Sequence, residues 1–176
     1  MAYDGTAYCG WQIQPNEKTV QQVMEHALTT ILRQETSVTG AGRTDTGVHA
    51  SYYMAHFDVE NPLLLSPELD PAGKHFVFKL NRFLPPDVVV YKIFSVPPDM
   101  HARFSATYRT YHYHISTIKP LYNRNYSHHV YGSLDMNALE ECCALLTETE
   151  DFTSFAKLHS DVKTNLCKVM HATWKE

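Results

Sequence analysis

The apolar positions after residue 19 recur every three or four residues, which is the spacing of one face of a helix. They are Val20, Val23, Met24, Ala27, Leu28, Ile31 and Leu32. Just before this run, Thr19 and Gln22 form the Thr-x-x-Gln of a capping box. The pattern predicts an amphipathic helix over residues 19–34.

A stretch with three glycines follows this helix and is flanked by residues that favour strands. Residues 36–41 are rich in β-branched side chains and residues 49–59 in aromatic ones. Glycine favours loops over strands, so the sequence Gly40–Ala50, GAGRTDTGVHA, is predicted to connect two strands. Asp45 then lies on a strand-to-strand loop.

The remaining pattern alternates irregularly between strands and helices. Helical spacing begins near residue 72 and ends before the prolines at 85–86, and a buried strand is predicted over 88–96. Further strands are predicted over 105–118, with Arg109 and Tyr111 on one face, and over 167–174; Asp135 should cap a helix that runs to about residue 147. These elements favour the α+β class, with antiparallel or mixed sheet flanked by helices.

The two prolines at 97–98 are the strongest linker signal in the chain. We therefore predict two subdomains, an N-terminal one over residues 1–98 that contains the glycine-bearing loop and a C-terminal one over residues 99–176.

Composition indicates a globular protein, with 44% hydrophobic residues and apolar runs too short to cross a bilayer. The start of the chain lacks the pattern of a signal peptide, so a cytoplasmic location without membrane attachment is expected. The four cysteines lack the spacing of a disulfide framework or a zinc site, and reduced, mostly buried thiols are expected.

Charge is unevenly distributed along the chain, although the net charge of −4 by itself argues against a nucleic-acid partner. Residues 100–134 contain no acidic side chain and are rich in histidine and tyrosine; their cations are Arg103, Arg109, Lys119 and Arg124. A basic, aromatic segment of this kind favours contact with a polyanion.

Three interpretations of Asp45 are open on chemical grounds. An aspartate between glycines is most often a turn residue. Arg43, two positions earlier, would hold the carboxylate ionised, and a carboxylate can attack an anomeric carbon. The letters Asp-Thr-Gly also occur in aspartic peptidases, but those need two aspartates that share a proton, and the nearby arginine opposes this.

Five motifs in the same order resemble the tRNA pseudouridine synthase A family. They are YDGTAYCGWQIQP at 3–15, TVQ at 19–21, GAGRTDTGVHA at 40–50, HARFSATYRTYHYHI at 101–115 and DFTSF at 151–155. The resemblance implies the pseudouridine synthase fold with two subdomains. It also implies an isomerase that needs no cofactor or metal and converts uridines at positions 38 to 40, in the anticodon arm of tRNA, to pseudouridine. The family acts as a homodimer.

The same motifs imply roles for individual residues. Asp45 matches the catalytic aspartate, Arg43 an arginine that helps to displace the target base, and Tyr111 a tyrosine that stacks on uracil. Weaker candidates for substrate contact are Arg109 and His49, although a histidine at position 49 more often hydrogen-bonds the loop itself. Candidates for contact with the RNA backbone are Arg103, Lys119 and Arg124.

The chain departs from the family after residue 176, where the family has a further segment that supplies a basic partner for the aspartate. The resemblance therefore implies an incomplete C-terminal subdomain and weak or absent activity for this chain alone. The binding-class alternative is an inactive RNA-binding or RNA-folding protein of the same fold. The remote alternative is the peptidase.

Overall fold

The computed structural model describes residues 1–60, 73–156 and 164–176. The chain divides into two compact units, residues 1–113 and 114–176. Residue 98, at which the sequence predicts a subdomain boundary, falls inside the first unit; the division into subdomains at that point stays a prediction. Helices and short β-pairs together confirm the α+β class.

In the first unit, short strands alternate with two helices. The strands are β1 (Ala2–Tyr3), β2 (Thr39–Gly40), β3 (Ala55–His56) and β4 (Val88–Val89), and the helices are α1 (Val20–Leu32) and α2 (Lys74–Phe83). Strand β1 pairs antiparallel with β4, and β2 pairs antiparallel with β3. The loop that carries Asp45 therefore connects two paired strands, as predicted.

The chain at β1 also contacts the residues at the end of this loop and just after it. Tyr3 and Ala50 exchange backbone hydrogen bonds of 2.9 and 3.0 Å, and Met1 and Tyr53 exchange bonds of 3.0 and 2.8 Å. Strand β1 is thus bonded to β4 on one edge and to the loop on the other, which connects the loop to the body of the unit.

Helix α1 confirms the predicted amphipathic helix. The Oγ1 atom of Thr19 accepts a hydrogen bond of 3.4 Å from the N–H of Gln22, so the threonine caps the first turn as the sequence predicts. The helix ends at Leu32, and the next residue, Arg33, has a left-handed backbone with φ of 57°. One face of α1 is buried: Val20, Met24, Ala27, Leu28 and Leu32.

Helix α2 packs beside α1 and confirms the second predicted helix, which begins after Gly73. The earlier part of that prediction, near residue 72, lies outside the described residues. Phe76 and Leu80 of α2 join the buried face of α1 in one core, which also contains Tyr8, Trp11, Val38, Tyr53, Val88 and Val90. The apolar core of the first unit therefore extends to the side chains beneath the loop.

The second unit contains two short parallel strands and one helix. These are β5 (Ile115–Ser116), β6 (His128–His129) and α3 (Met136–Glu148). The Oδ1 atom of Asp135 accepts a hydrogen bond of 3.0 Å from the N–H of Ala138, which confirms the predicted cap. None of the described residues of this unit is buried.

The predicted strands were too long. Of residues 105–118 only Ile115–Ser116 is a strand, and residues 88–96 shorten to Val88–Val89. Residues 167–174 form no strand in the structure; the nearest pairing is an isolated bridge between Asp151 and Leu166. A strand needs a neighbouring strand for its N–H and C=O groups, and alternation in the sequence does not supply one.

The expectation of buried cysteines was also wrong. All four are free thiols, but Cys9 and Cys143 are half-buried, while Cys142 and Cys167 are exposed. Among the described residues, no helix is long and apolar enough to span a membrane.

Adjacent residues of α2 test where the core of the first unit lies. Leu80 is fully buried and Lys79 is exposed. We expect Leu80→Ala to lower the free energy of unfolding by about 2–5 kcal/mol, because a cavity is left in the core. Lys79→Ala should change it by less than about 0.5 kcal/mol. Urea denaturation followed by circular dichroism measures both, and equal effects would contradict the packing described here.

Candidate active site

Asp45 begins a tight turn at the tip of the loop. Its carbonyl oxygen accepts a hydrogen bond of 3.2 Å from the N–H of Val48. Gly47, the third residue of this turn, has φ of +78°, a value typical of the glycine in a type II turn. The side chain of Asp45 is exposed. The turn interpretation is therefore right for the backbone, and it leaves the carboxylate open to a ligand.

The N-terminal segment holds this turn through its backbone. The N–H of Trp11 donates to the carbonyl of Thr44 at 3.1 Å, and the N–H of Gly47 donates to the carbonyl of Tyr8 at 3.2 Å. The hydroxyl of Tyr3 lies 2.9 Å from the Oγ1 of Thr44. Residues on both sides of Asp45 are thus bonded to residues 3–11.

Two glycines allow these backbones to approach closely. A Cβ on Gly10 would lie 2.2 Å from the carbonyl oxygen of Thr44, and a Cβ on Gly5 would lie 2.0 Å from that of Val48. Such distances are far below a normal contact between carbon and oxygen. Gly10 also has φ of +82°, which side chains other than glycine rarely adopt. The glycines of the YDGTAYCGW motif are therefore steric requirements of the loop.

Tyr53 supports the start of the loop from within the core. Its hydroxyl donates a short hydrogen bond to the carbonyl of Gly42 and accepts one of 3.2 Å from the N–H of the same residue. Its ring centroid lies 4.4 Å from that of Trp11 and 5.5 Å from that of Tyr3. Burial raises the pKa of Tyr53, although the bond to Gly42 opposes this. The hydroxyl therefore stays neutral and remains a donor.

Tyr111 lies close to this aromatic cluster but is itself open to solvent. Its side chain is 80% exposed, which leaves a ring face available for stacking. Burial raises the pKa of Tyr3 and of Tyr53, and the nearby Tyr111 hydroxyl raises both further. The structure thus brings Tyr111 near the loop, although the backbone at 106–114 is irregular and not the predicted strand.

Arg109 contacts the loop directly. Its Nε and Nη2 atoms donate to the carbonyl of Ala41 at 3.1 and 2.6 Å, and Nη2 also donates to the carbonyl of Arg103 at 2.8 Å. The guanidinium predicted to contact substrate therefore bonds two backbone carbonyls of the protein.

Two predicted residues lie within the loop itself. Arg43 is exposed, two positions before Asp45. The Nδ1 atom of His49 lies 3.1 Å from the N–H of Gly5 and 3.1 Å from Oδ1 of Asp4. One nitrogen cannot accept from Gly5 and donate to Asp4 at the same time, so the two contacts are alternatives that differ in whether Nδ1 carries a hydrogen. Both place His49 against the N-terminal segment.

The remaining predicted cations are not all in one unit. The guanidinium of Arg103 lies 5.8 Å from the ring centroid of Phe104, in the first unit. Lys119 and Arg124 belong to the second unit and are exposed, and Nη1 of Arg124 donates to the carbonyl of Leu121 at 3.0 Å. Across the described ranges, no group of His, Cys, Asp and Glu side chains is arranged to hold a metal ion.

The arrangement suits a carboxylate acting on a bound ligand. Asp45 is exposed on a loop whose backbone is held from both sides, and an exposed aromatic ring lies nearby. An aspartic peptidase instead needs two aspartates that share one proton. The exposed turn described here does not resemble that arrangement.

Sequence reasoning missed the residues that hold the loop. Tyr53 lay in an aromatic segment with no signal to distinguish it from its neighbours, and the role of Gly10 depends on the close approach of Thr44. The sequence signal that could have indicated Gly10 was its place in a motif that already contains Gly5.

Comparison with known proteins gives one consistent result. A family described as tRNA pseudouridine synthase matches residues 1–105. A protein of Bacteroides fragilis called tRNA pseudouridine synthase A is 52% identical over 176 residues, which cover 100% of this chain and 67% of the relative. A protein of the same name from Bacteroides thetaiotaomicron is 53% identical over 174 residues, 99% of this chain and 62% of the relative. The chain thus spans about two thirds of the length of these relatives.

A pair of glycines tests the close contact beneath Asp45. Gly10 and Gly47 have nearly equal φ, +82° and +78°, but a Cβ on Gly47 would meet nothing within 4 Å. Both alanine variants should lose about 1–2 kcal/mol of stability from the left-handed backbone. We expect Gly10→Ala to lose clearly more, and to raise hydrogen exchange at residues 42–48, because its methyl group displaces Thr44. Equal losses in urea denaturation would contradict this contact.

Proposed function

The chain belongs to the tRNA pseudouridine synthase family, and on that premise we propose that it isomerises uridine to pseudouridine in tRNA, with Asp45 as the catalytic residue. The observation that carries the proposal is the exposed Asp45 carboxylate, on a turn that is bonded to residues 3–11 on both sides.

The reaction breaks the N-glycosidic bond of uridine, turns the uracil over and joins its C5 atom to the ribose. The proton on C5 is released to solvent and N1, freed from the ribose, takes up a proton, so the product has the same composition as the substrate and no oxidant or reductant is consumed. Carboxylates act at anomeric carbons in retaining glycosidases, and the bond broken here is also at an anomeric carbon. The exposed side chain of Asp45 supplies a carboxylate of the kind that this role requires.

The target base must leave its stack to reach Asp45. Base flipping costs a few kcal/mol, and stacking on an aromatic side chain restores part of this. The exposed ring of Tyr111 supports its assignment as the stacking residue, and the exposed Arg43 is suited to hold the displaced nucleotide or its backbone. Exposed cations at Lys119 and Arg124 are suited to phosphate contacts.

Several finer assignments belong to the same proposal. The resemblance to the tRNA pseudouridine synthase A family supports the anticodon arm as the site of modification, a pseudouridine synthase fold of two subdomains, a homodimer and a cytoplasmic location. The second candidate function is RNA binding without catalysis, which would use the same exposed cations and aromatic rings.

Tritium release tests the catalytic assignment. With tRNA labelled at uridine C5, the chain should release tritium, and the Bacteroides fragilis relative serves as the comparison enzyme. Asp45→Asn should abolish release, since the amide has no negative charge, while tRNA affinity changes little. Asp58→Asn is the matched control, because Asp58 is an exposed carboxylate outside the loop, and it should leave release unchanged.

Two outcomes would contradict the proposal. Release that survives Asp45→Asn would refute the catalytic role of this residue. If the relative releases tritium and the chain only binds tRNA, the RNA-binding function is the correct one for this chain.

Substitution of Tyr111 tests stacking separately. Tyr111→Phe keeps an aromatic face and should bind tRNA nearly as tightly as the unchanged chain. Tyr111→Ala should lose about 1–3 kcal/mol of binding free energy, the usual contribution of one stacked base. Fluorescence anisotropy with a labelled anticodon stem-loop measures both variants. An equal loss for phenylalanine and alanine would assign the binding energy to the hydroxyl instead.

A further inference from the structure

We propose that Arg109 is a positioning residue and not a phosphate contact. Its hydrogen bonds hold the Asp45 loop, Gly40–Ala50, against the Tyr111 segment, residues 103–111. The inference rests on the proposed function, since it assigns the two tied segments to one active site. It revises the sequence-based assignment of Arg109 to substrate binding.

The hydrogen bonds of Arg109 join two separate parts of the chain. The carbonyl of Ala41 lies four residues before Asp45, and the carbonyl of Arg103 belongs to the segment that leads to Tyr111. The Nη2 atom donates to both carbonyls, at 2.6 and 2.8 Å. Bonds in which the donor is charged are stronger than bonds between neutral groups. A single guanidinium therefore holds the loop and the Tyr111 segment together.

Tyr53 makes the neighbouring contact on the same stretch of loop. It bonds both backbone groups of Gly42, while Arg109 bonds the carbonyl of Ala41. The side chain of Arg109 also passes over Gly42, where an added Cβ would lie 3.6 Å from its Nε. Two consecutive residues of the loop are thus held from the core and from the Tyr111 segment, three and four positions before Asp45.

The planar, forked arrangement of the guanidinium nitrogens explains why this position requires arginine. Two of its nitrogens point to one carbonyl, and one of these also reaches a second carbonyl. An RNA phosphate that recruited Nε and Nη2 would have to displace these bonds. A lysine has one nitrogen at the end of a flexible chain and cannot reproduce the fork, although it keeps the charge.

The variant Arg109→Lys, which keeps the positive charge, distinguishes a positioning role from a phosphate contact. We expect Arg109→Lys and Arg109→Gln both to lower the single-turnover rate of pseudouridine formation by about 10- to 100-fold, since small displacements of reacting groups have effects of this size. The dependence of tRNA affinity on salt should stay unchanged, and so should the melting temperature. Arg82→Lys, at an exposed arginine of α2, is the control and should match the unchanged chain.

A phosphate contact predicts the opposite pattern. Arg109→Lys would then behave like the unchanged chain, whereas Arg109→Gln would weaken tRNA binding and reduce the slope of log K against log salt by about 0.7–0.9. That result would overturn the proposal.

Hydrogen exchange tests the same inference without activity. Residues 41–48 should exchange faster in both Arg109 variants than in the unchanged chain and Arg82→Lys. Unchanged exchange would overturn the positioning role. If the unchanged chain proves inactive, the proposed function fails, and the exchange data still decide whether Arg109 holds the loop.

Discussion

The close contact between residues 3–11 and the loop Gly40–Ala50 is the constraint on which the candidate site depends. Its backbones approach so closely that a Cβ on Gly5 or Gly10 would lie about 2 Å from a loop carbonyl. Backbone hydrogen bonds then join Tyr8 and Trp11 to the residues around Asp45. The position of the carboxylate is consequently set by main-chain geometry, while its own side chain stays open to a ligand.

This contact also connects the site to the stability of the first unit. Trp11 and Tyr53 belong to the same buried core as the helices α1 and α2. The hydroxyl of Tyr53 reaches from this core to Gly42 at the start of the loop. Burial is favourable for the Tyr53 ring because its hydroxyl finds a backbone partner in Gly42. A change in the core beneath the loop therefore alters the site as well as the fold.

The predictions that succeeded depended on local sequence signals. Thr19 and Asp135 each cap a helix through a side-chain oxygen, and the interaction spans three residues, so the sequence contains all of it. The predicted strands failed in length for the opposite reason. Residues 105–118 alternate as a strand does, but a ladder needs a partner elsewhere in the chain, and only Ile115–Ser116 finds one, at His128–His129.

The sequence by itself determined the helices, the turn at Asp45 and, through five ordered motifs, the family. Each of these depends on residues that lie close together within one short stretch of the sequence. The tertiary structure decided which distant residues hold the turn: Gly10 against Thr44, Tyr53 on Gly42 and Arg109 on Ala41. The members of these pairs lie between 11 and 68 positions apart in the sequence. No local pattern of residues marks them as partners. They arise only when the core folds and brings the backbones within hydrogen-bonding distance.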